Sequence, residues 1–225
     1  MTIYRQARPE EHDDYIDLAN YTFGFDMEKL LPKVYREDYD SSSITKVAED
    51  ENGRIVAQNA VLPQVVHAGN FKLRTNFLGS MVVHPRHRGE GHMKALMKAC
   101  LDEMPANFQI SVLGGKRQRY EYFGYTTGGI QWEYRVIEDN IRHALKEENS
   151  EGISFLPLSE AEGWMDLVIR LYTDRDVYIE RDPKQMQYIL ASYHQHALGI
   201  LKDGNLIGYL LVSKDKTSVS EFESP

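Results

Sequence analysis

The chain has 225 residues and 42% of them are hydrophobic, so it can bury a substantial core as one large domain or two small ones. Its formal charge of −8 argues against nucleic acid as the main partner. A single cysteine excludes an internal disulfide and is typical of a reducing compartment. The sequence has no apolar run of about 18 residues and does not begin with a signal peptide, so we expect a cytoplasmic protein without a membrane partner.

The N-terminal segment predicts a strand followed by two helices. Residues 2–7 have the pattern of a strand, and Pro9 then opens a helix, because proline is well tolerated at the first helical position. Asp26 is placed to cap a second, short helix. Phe23 and Phe25 flank a glycine between the two helices, where aromatic residues are typical of core packing or of a pocket wall. Both interpretations stay open, and Phe23 and Phe25 are candidates for substrate binding.

Residues 44–83 predict an antiparallel meander. Residues 44–48 and 55–66 have the pattern of strands, and Asn52-Gly53 between them is a strong hairpin signal. A further strand begins at Phe71 and leads to the short apolar segment 78–83. The meander therefore leads directly into the unit that follows.

Residues 78–104 combine a short apolar strand, a basic glycine-rich turn and an amphipathic helix. The apolar residues of the helix recur at the helical period and form one stripe: Met93, Leu96, Met97, Cys100, Leu101 and Met104. Gly89 and Gly91 remove side chains from the turn, so a ligand can approach the free amides at the start of the helix. With the positive end of the helix dipole and with Arg86 and Arg88, these amides predict a site for a polyanion such as a pyrophosphate.

Two common phosphate-binding motifs are excluded at this turn. The P-loop requires Gly-Lys-Ser/Thr, which does not occur, and the dinucleotide fingerprint requires a third glycine where this chain has Lys94. The turn instead resembles the acyl-CoA loop of the GCN5-related N-acetyltransferases (GNATs), Q/R-x-x-G-x-G/A, with Arg86, Gly89 and Gly91 at its fixed positions. An ordinary strand-to-helix turn with exposed arginines is the alternative.

A second β–α unit follows the first. Residues 108–113 predict a buried strand, and residues 116–123 predict a helix that ends at Gly124. Two such units predict parallel strands that splay apart and leave a cleft. Residues 131–136 predict a further strand. The segment Tyr120–Tyr125 resembles the Y-x-x-x-G-F/Y motif that closes the GNAT core.

The resemblance implies the α/β GNAT fold, a mixed sheet with splayed central parallel strands and flanking helices. It also implies acetyl-CoA as cosubstrate, with the pantetheine arm along the central strand and the pyrophosphate on the glycine turn. The residues expected to bind acetyl-CoA are Met81, Val82, Val83, Arg86, His87, Arg88, Gly89, Glu90, Gly91, His92 and Met93. By the same resemblance, Tyr120 is the general acid for the leaving thiolate. The alternative is that Tyr120 packs with Tyr122, Phe123 and Tyr125 in an aromatic cluster.

The implied acceptor is a primary amine of a small molecule or of a lysine side chain, and it needs a base. An amine of pKa about 10.4 is neutral at pH 7 about once in 2,500 molecules, a cost of about 4.6 kcal/mol. Many GNATs place a glutamate on the central strand, but residues 76–81 contain no carboxylate. Asp26, Glu133 or a water chain could replace it, so Asp26 and Glu133 join the candidates for substrate binding. A non-catalytic acyl-CoA-binding or regulatory module of the same fold is the competing hypothesis.

Three histidines near the glycine turn raise the question of a metal site. They are His84, His87 and His92. A loop around two glycines rarely presents three ligands together, and no acidic or cysteine residue has the usual spacing. We therefore expect no metal.

The charged segment 138–152 predicts a domain boundary, with a GNAT domain over residues 1–147 and an incomplete second GNAT-like domain over residues 148–225. The second part repeats the order strand, helix, helix and hairpin but has no glycine turn. This arrangement is similar to the enhanced-intracellular-survival type of GNAT. Members of that group acetylate aminoglycosides or lysine amines, and their chains continue into a third domain. The sequence does not identify the acceptor, and it leaves a homo-oligomer open.

Overall fold

The computed structural model describes residues 1–130, 132–146 and 148–225. The elements up to residue 146 are β1 (Ile3–Gln6), α1 (His12–Phe23), α2 (Met27–Leu30), α3 (Pro32–Tyr35), β2 (Thr45–Glu49), β3 (Ile55–Ala68), β4 (Phe71–Val83), α4 (His92–Asn107), β5 (Ile110–Leu113), α5 (Arg117–Tyr120) and α6 (Glu138–His143). The later elements are β6 (Ile153–Pro157), α7 (Trp164–Thr173), β7 (Val177–Ile179), α8 (Met186–Ala191), β8 (His196–Lys202), β9 (Asn205–Val212) and β10 (Val219–Glu223). No helix in these ranges is long and apolar enough to cross a membrane.

The first sheet is mixed and has helices on both faces. Strands β1 to β4 pair antiparallel in chain order, β5 pairs parallel with β4, and β7 pairs with the far end of β3. Neighbouring residues of β2 point to opposite faces, as the pleat of a strand requires. Val47 packs in the core beneath α1 to α3, whereas Ala48 packs with Leu96 of α4. This arrangement confirms the predicted fold class.

The helices that precede the meander form largely as the sequence predicts. α1 buries Tyr15, Leu18 and Ala19 and ends at Gly24, whose φ of 72° is in the left-handed region that favours glycine. Asp26 caps α2, because its carboxylate accepts a hydrogen bond from the backbone N–H of Lys29. These short helices lie directly beside the central strands, where the functional site is built.

The two parallel strands of the sheet, β4 and β5, separate as predicted. β5 pairs with β4 only from Thr75 to Leu78. Beyond that point β4 continues to Val83 with no β5 residue beside it. A register shift against β3 falls in the same stretch, where Ser80 has a φ of 50°. The structure therefore has a cleft between the end of β4 and the end of β5, with free backbone groups on the β4 side.

One predicted strand is wrong, and a second is less buried than expected. Residues 132–137 form no strand, and Gln131, the first residue of that prediction, lies outside the described residues. β5 is therefore an edge of the described sheet. Its Ile110 and Val112 are 48% and 46% exposed, although the sequence predicted a buried strand, because both side chains line an open cavity.

Several predicted boundaries also shift. α4 continues through Pro105 to Asn107, so β5 begins two residues later than predicted, at Ile110. The helix predicted over 116–123 is divided into α5 and a 3-10 turn, Glu121–Phe123, which ends at Gly124. A third short helix, α3, was not predicted; Pro32 is its first residue, the helical position where a missing N–H costs least.

The C-terminal part of the chain builds a second, antiparallel sheet. Its strand order is β10-β9-β8-β6, and α7 and α8 cover a core that includes Val168, Met186 and Tyr209. The predicted order of strand, helix, helix and hairpin is present, whereas β7 and β10 were not predicted. Through β7 this part of the chain also belongs to the first sheet. The division of the chain at residue 147 stays a prediction.

Candidate active site

The glycine turn between β4 and α4 forms one wall of a cavity of about 720 Å³, here called the loop cavity. Its lining residues are Thr22, Phe23, Met81, Val82, Val83, His87, Arg88, Gly89, Gly91, His92, Met93, Lys94, Arg119 and Phe123. Gly89 and Gly91 have φ values of 88° and 85°, in the left-handed region that non-glycine residues rarely adopt. Gly91 is also the N-cap of α4, so the unpaired amides of the first helical turn face this cavity.

Three cationic side chains line the loop cavity. Arg88 and Lys94 come from the turn and the first turn of α4, and Arg119 comes from α5. Arg117 of the same short helix instead pairs with Glu121 at 3.1 Å. With the positive end of the α4 dipole, these cations concentrate positive charge along the loop cavity.

Most of the residues predicted to bind acetyl-CoA meet in the loop cavity, but two do not. Arg86 is exposed, and its backbone N–H donates to His84 Nδ1 at 3.2 Å within a turn. The Glu90 carboxylate lies 3.2 Å from His87 Nδ1 and 3.1 Å from His92 Nε2. Both contacts lower the pKa of Glu90, and the hydrogen bond with His87 has the largest effect. The contacts therefore stabilise the charged form of the Glu90 carboxylate next to both imidazole rings.

The Glu90 contacts also correct one argument made from the sequence. Ligand atoms of His87, Glu90 and His92 all lie within 4.8 Å of one another, so an acidic residue is suitably placed beside these histidines. Each of the two rings also contacts the Glu90 carboxylate at hydrogen-bond distance. His92 is buried, and its Nδ1 lies 3.0 Å from the hydroxyl of Tyr4, which ties the turn to β1.

A second cavity of about 610 Å³, here called the strand cavity, lies beside the loop cavity. Its lining residues are Phe23, Phe25, Met27, Leu30, Leu31, Lys33, Val34, Tyr35, Leu62, Gln64, Val66, Thr75, Phe77, Gly79, Ser80, Val112, Ile179 and Tyr193. Phe23 lines both cavities, and along β4 Gly79–Ser80 of the strand cavity directly precede Met81–Val83 of the loop cavity. The two cavities therefore meet where β4 leaves β5.

A buried tyrosine supports the irregular stretch of β4 at this junction. The Tyr35 hydroxyl donates to Ser80 Oγ at 2.5 Å. Burial raises the pKa of Tyr35 far above that of a free tyrosine, so its hydroxyl stays protonated. Ser80 has a left-handed φ, a conformation that is costly for a residue with a side chain and that is often found at functional sites. The bond from Tyr35 helps to hold it there.

Tyr120 lies in an aromatic cluster at the other side of the cleft. Its ring packs against the core formed by Leu78 and Met97 and lies 6.4 Å from the ring of Tyr125. The close approach requires Gly115, because a Cβ there would come within 2.4 Å of the Tyr120 ring. The Tyr125 hydroxyl contacts Ser111 at 2.6 Å, whereas no described residue hydrogen-bonds the Tyr120 hydroxyl.

Tyr120 lines a third cavity of about 800 Å³, which also has Tyr125 in its wall and is here called the tyrosine cavity. This cavity shares Val112 with the strand cavity and Phe123 with the loop cavity. Tyr120 itself lines neither of those two. Tyr120 therefore lies in a cavity that shares a wall residue with each of the other two, and it is packed in the aromatic cluster that was its alternative environment.

The four residues predicted to bind substrate divide into two pairs. Phe23 and Phe25 line the strand cavity. Asp26 lines none of the three cavities, since its carboxylate caps α2 and pairs with Lys29 at 2.7 Å. Glu133 is exposed and pairs with Arg135 at 2.7 Å. Neither carboxylate is brought to the junction of the cavities.

Several residues that line these cavities were not predicted from the sequence. Lys94 is one helical turn beyond Gly91, and that spacing alone could have indicated it. Lys33, Tyr35, Ile179 and Tyr193 have no local signal, because they reach the strand cavity only through tertiary packing.

The fold is similar to that of several solved acyltransferases. A GCN5-related N-acetyltransferase from Anabaena variabilis has a TM-score of 0.66 at 15% identity, and the match covers 100% of this chain and 59% of that chain. Eis1 from Mycobacterium abscessus has a TM-score of 0.58 at 14% identity, and the match covers 94% of this chain and 52% of that chain. The N-myristoyltransferase of Saccharomyces cerevisiae with bound myristoyl-CoA has a TM-score of 0.56 at 10% identity, and the match covers 93% of this chain and 59% of that chain. This chain thus spans between half and three-fifths of the length of these proteins.

Sequence comparisons give a family but no individual relative. No curated protein matches the sequence. A family model described as an acetyltransferase (GNAT) domain matches residues 3–128, which is more than half of the chain. The matched range contains the glycine turn, the splayed strands and the tyrosine motif. The chain therefore belongs to the GNAT family of acetyltransferases.

Proposed function

We propose that this protein transfers an acetyl group from acetyl-CoA to a primary amine of a small molecule or of a lysine side chain. The observation that carries the proposal is the junction of the loop cavity and the strand cavity at Phe23 and at the irregular stretch of β4. One cavity has the cationic groups that suit a pyrophosphate, and the other has a mainly apolar lining. Two substrates entering from the two cavities would meet at this junction.

In the proposed complex the pyrophosphate of acetyl-CoA lies on the first turn of α4. The amides from Gly89 onward face it, and Arg88, Lys94 and Arg119 neutralise its charge. The pantetheine arm then follows the free edge of β4 from Val83 towards Ser80, where its amides can pair with backbone groups that have no partner strand. This path brings the thioester to the cleft between β4 and β5.

The acceptor amine enters through the strand cavity and attacks the thioester carbonyl. The C–N bond forms, the C–S bond of the tetrahedral intermediate breaks, and CoA leaves as a thiolate. Tyr120 donates its phenolic proton to that thiolate, and the proton released by the amine passes to solvent. The proposal uses Tyr120 because its hydroxyl has no hydrogen-bond partner among the described residues and because the tyrosine cavity borders both other cavities.

The strand cavity also lowers the cost of providing a neutral amine. No Asp or Glu of the described residues lines it, so no carboxylate base is at hand. Its apolar walls instead disfavour the protonated form of a bound amine, which lowers the pKa of that amine. Part of the cost of about 4.6 kcal/mol for an amine of pKa 10.4 at pH 7 is met in this way. We therefore expect the rate to rise with pH over the range in which the acceptor loses its proton.

The test is a thiol-release assay with the whole chain, acetyl-CoA and a panel of primary amines. The panel holds apolar amines, amino acids, lysine peptides, polyamines and aminoglycosides. Release of CoA thiol together with the matching N-acetyl product, detected by mass spectrometry, is the expected result. Binding of acetyl-CoA without release for any amine would contradict the proposal and would support the non-catalytic acyl-CoA-binding module.

A further inference from the structure

The strand cavity has walls that fit an apolar molecule. Aromatic side chains from the segment after α1 and from β4 form one side, with Phe25 and Phe77 as the largest. Leu30 of α2 and Leu62 of β3 add aliphatic surface, and Ile179 of β7 adds more from the C-terminal part of the chain. At about 610 Å³ the cavity is within the range of small-molecule sites. Such a surface stabilises apolar groups of a ligand by removing them from water.

Lysine supplies the one basic group in the wall of this cavity. Among the described residues that line it, Lys33 is the only Lys or Arg, and there is no Asp or Glu. Lys33 is half-buried, and burial is the main cause that lowers its pKa, with the nearby charge of Arg181 as a second cause. Arg181 has its own partner, because Glu221 accepts two hydrogen bonds from it at 2.9 and 2.6 Å. No ion pair within the described residues involves Lys33.

A polycation is a poor ligand for such a cavity. Each ammonium group would lose hydration against apolar walls without a carboxylate to pair with. It would also be repelled by Lys33. A single carboxylate on an apolar ligand would instead bind favourably. Lys33 can pair with it, and water screens their attraction only weakly in these surroundings. The charge and the polarity of the cavity therefore favour the same class of molecule.

The rim of the cavity is held in a costly conformation. Tyr193 and His194, in the turn after α8, have φ values of 61° and 56°, although neither is glycine. Two consecutive left-handed residues with side chains are rare, and such conformations cluster at ligand sites. The turn brings Tyr193 into the wall of the strand cavity, where it faces the segment containing Tyr35. The C-terminal part of the chain thus completes the cavity with Ile179 and Tyr193.

We infer that the acceptor is a primary amine with an apolar body and one carboxylate, the carboxylate pairing with Lys33. An aromatic amino acid and a long-chain ω-amino acid are both members of this class. The inference rests on the proposed function, and it excludes polyamines and aminoglycosides as preferred acceptors. It assigns specificity to Lys33 and does not assign a catalytic step to it.

Matched pairs of amines test the inference with the whole protein. Phenylalanine is compared with phenethylamine, and 8-aminooctanoate with octylamine, because each pair differs only by the carboxylate. In at least one pair the carboxylate-bearing amine should have a kcat/KM at least tenfold higher. Spermidine and kanamycin should be at least tenfold poorer than that amine. A preference for the polycations would overturn the inference while leaving the proposed function intact.

Replacing Lys33 tests the role of its charge. Lys33→Met keeps an unbranched apolar side chain of similar length, so it should raise KM at least tenfold for the carboxylate-bearing amine and by less than twofold for its matched partner. The control is Lys184→Met, because Lys184 is exposed and lines none of the three cavities. An equal change for both members of the pair would contradict the assignment to Lys33.

A binding measurement separates this inference from the proposed function. 3-Phenylpropanoate has the apolar body and the carboxylate but no amine, so it cannot be acetylated. Calorimetry should show that it binds the wild-type chain and that Lys33→Met weakens the affinity at least tenfold. Such binding without thiol release from any amine would support the cavity assignment and refute the enzyme. Affinity that does not change in Lys33→Met would overturn the inference even if turnover were found.

Discussion

Replacing Gly91 with aspartate should weaken acetyl-CoA binding by at least about 100-fold, or about 2.7 kcal/mol. Gly91 is the N-cap of α4 and lines the loop cavity, so the new carboxylate would lie where the pyrophosphate is expected. Two negative unit charges about 4 Å apart repel each other by about 4 kcal/mol at an effective dielectric constant near 20. The change should not disturb packing, because a Cβ at Gly91 meets no atom within 4 Å.

A second glycine of this chain provides the control. Gly163 is the N-cap of α7, has a left-handed φ of 71°, and also has no atom within 4 Å of its would-be Cβ. It lines none of the cavities. Gly163→Asp therefore reproduces the backbone strain of Gly91→Asp without the charge at the turn, and it should bind acetyl-CoA normally. Unchanged affinity in a correctly folded Gly91→Asp variant, measured by calorimetry, would refute the pyrophosphate site.

Tyr120→Phe should lower kcat at least tenfold with the best acceptor. Positioned proton transfer typically contributes about a hundred- to ten-thousand-fold to a rate, and the hydroxyl is all that the substitution removes. The ring would keep its contacts with Tyr125 and with the core around Leu78. The melting temperature and the acetyl-CoA affinity should therefore change little.

The matched control for Tyr120 is two residues away in the same motif. Tyr122 is 71% exposed and lines none of the three cavities, so Tyr122→Phe should leave kcat unchanged. Steady-state kinetics with an acceptor for which chemistry limits the rate would compare the two variants. A near-normal kcat in Tyr120→Phe would mean that Tyr120 serves only the aromatic cluster.

The parts of this site that were predictable from the sequence are local in the chain. The turn from Arg86 to Gly91 and the stripe of α4 lie within a few residues of each other, so spacing and periodicity are enough to identify them. The cap at Asp26 is local for the same reason. The separation of β4 from β5 followed from the repeated β–α order, which constrains topology even where pairing is not visible in the sequence.

The strand cavity was beyond sequence reasoning because its wall is assembled from distant segments. Lys33 and Ser80 come together only when α3 packs on the bulged part of β4. Ile179 and Tyr193 arrive from the far end of the chain, and β7 is too short to give a periodic signal. The prediction of a strand at 131–136 was wrong for a related reason. A strand needs a neighbouring strand to pair with, and a sequence pattern does not show whether one is present.

Amide hydrogen exchange of the whole chain with and without saturating acetyl-CoA tests the central claim most directly. The account predicts slower exchange in peptides covering residues 79–94, because the ligand would occupy the free edge of β4 and the first turn of α4. Peptides from β8 and β9 in the second sheet should not change. Bound acetyl-CoA with no protection in residues 79–94, or protection confined to the second sheet, would contradict the assignment of the acyl-CoA site.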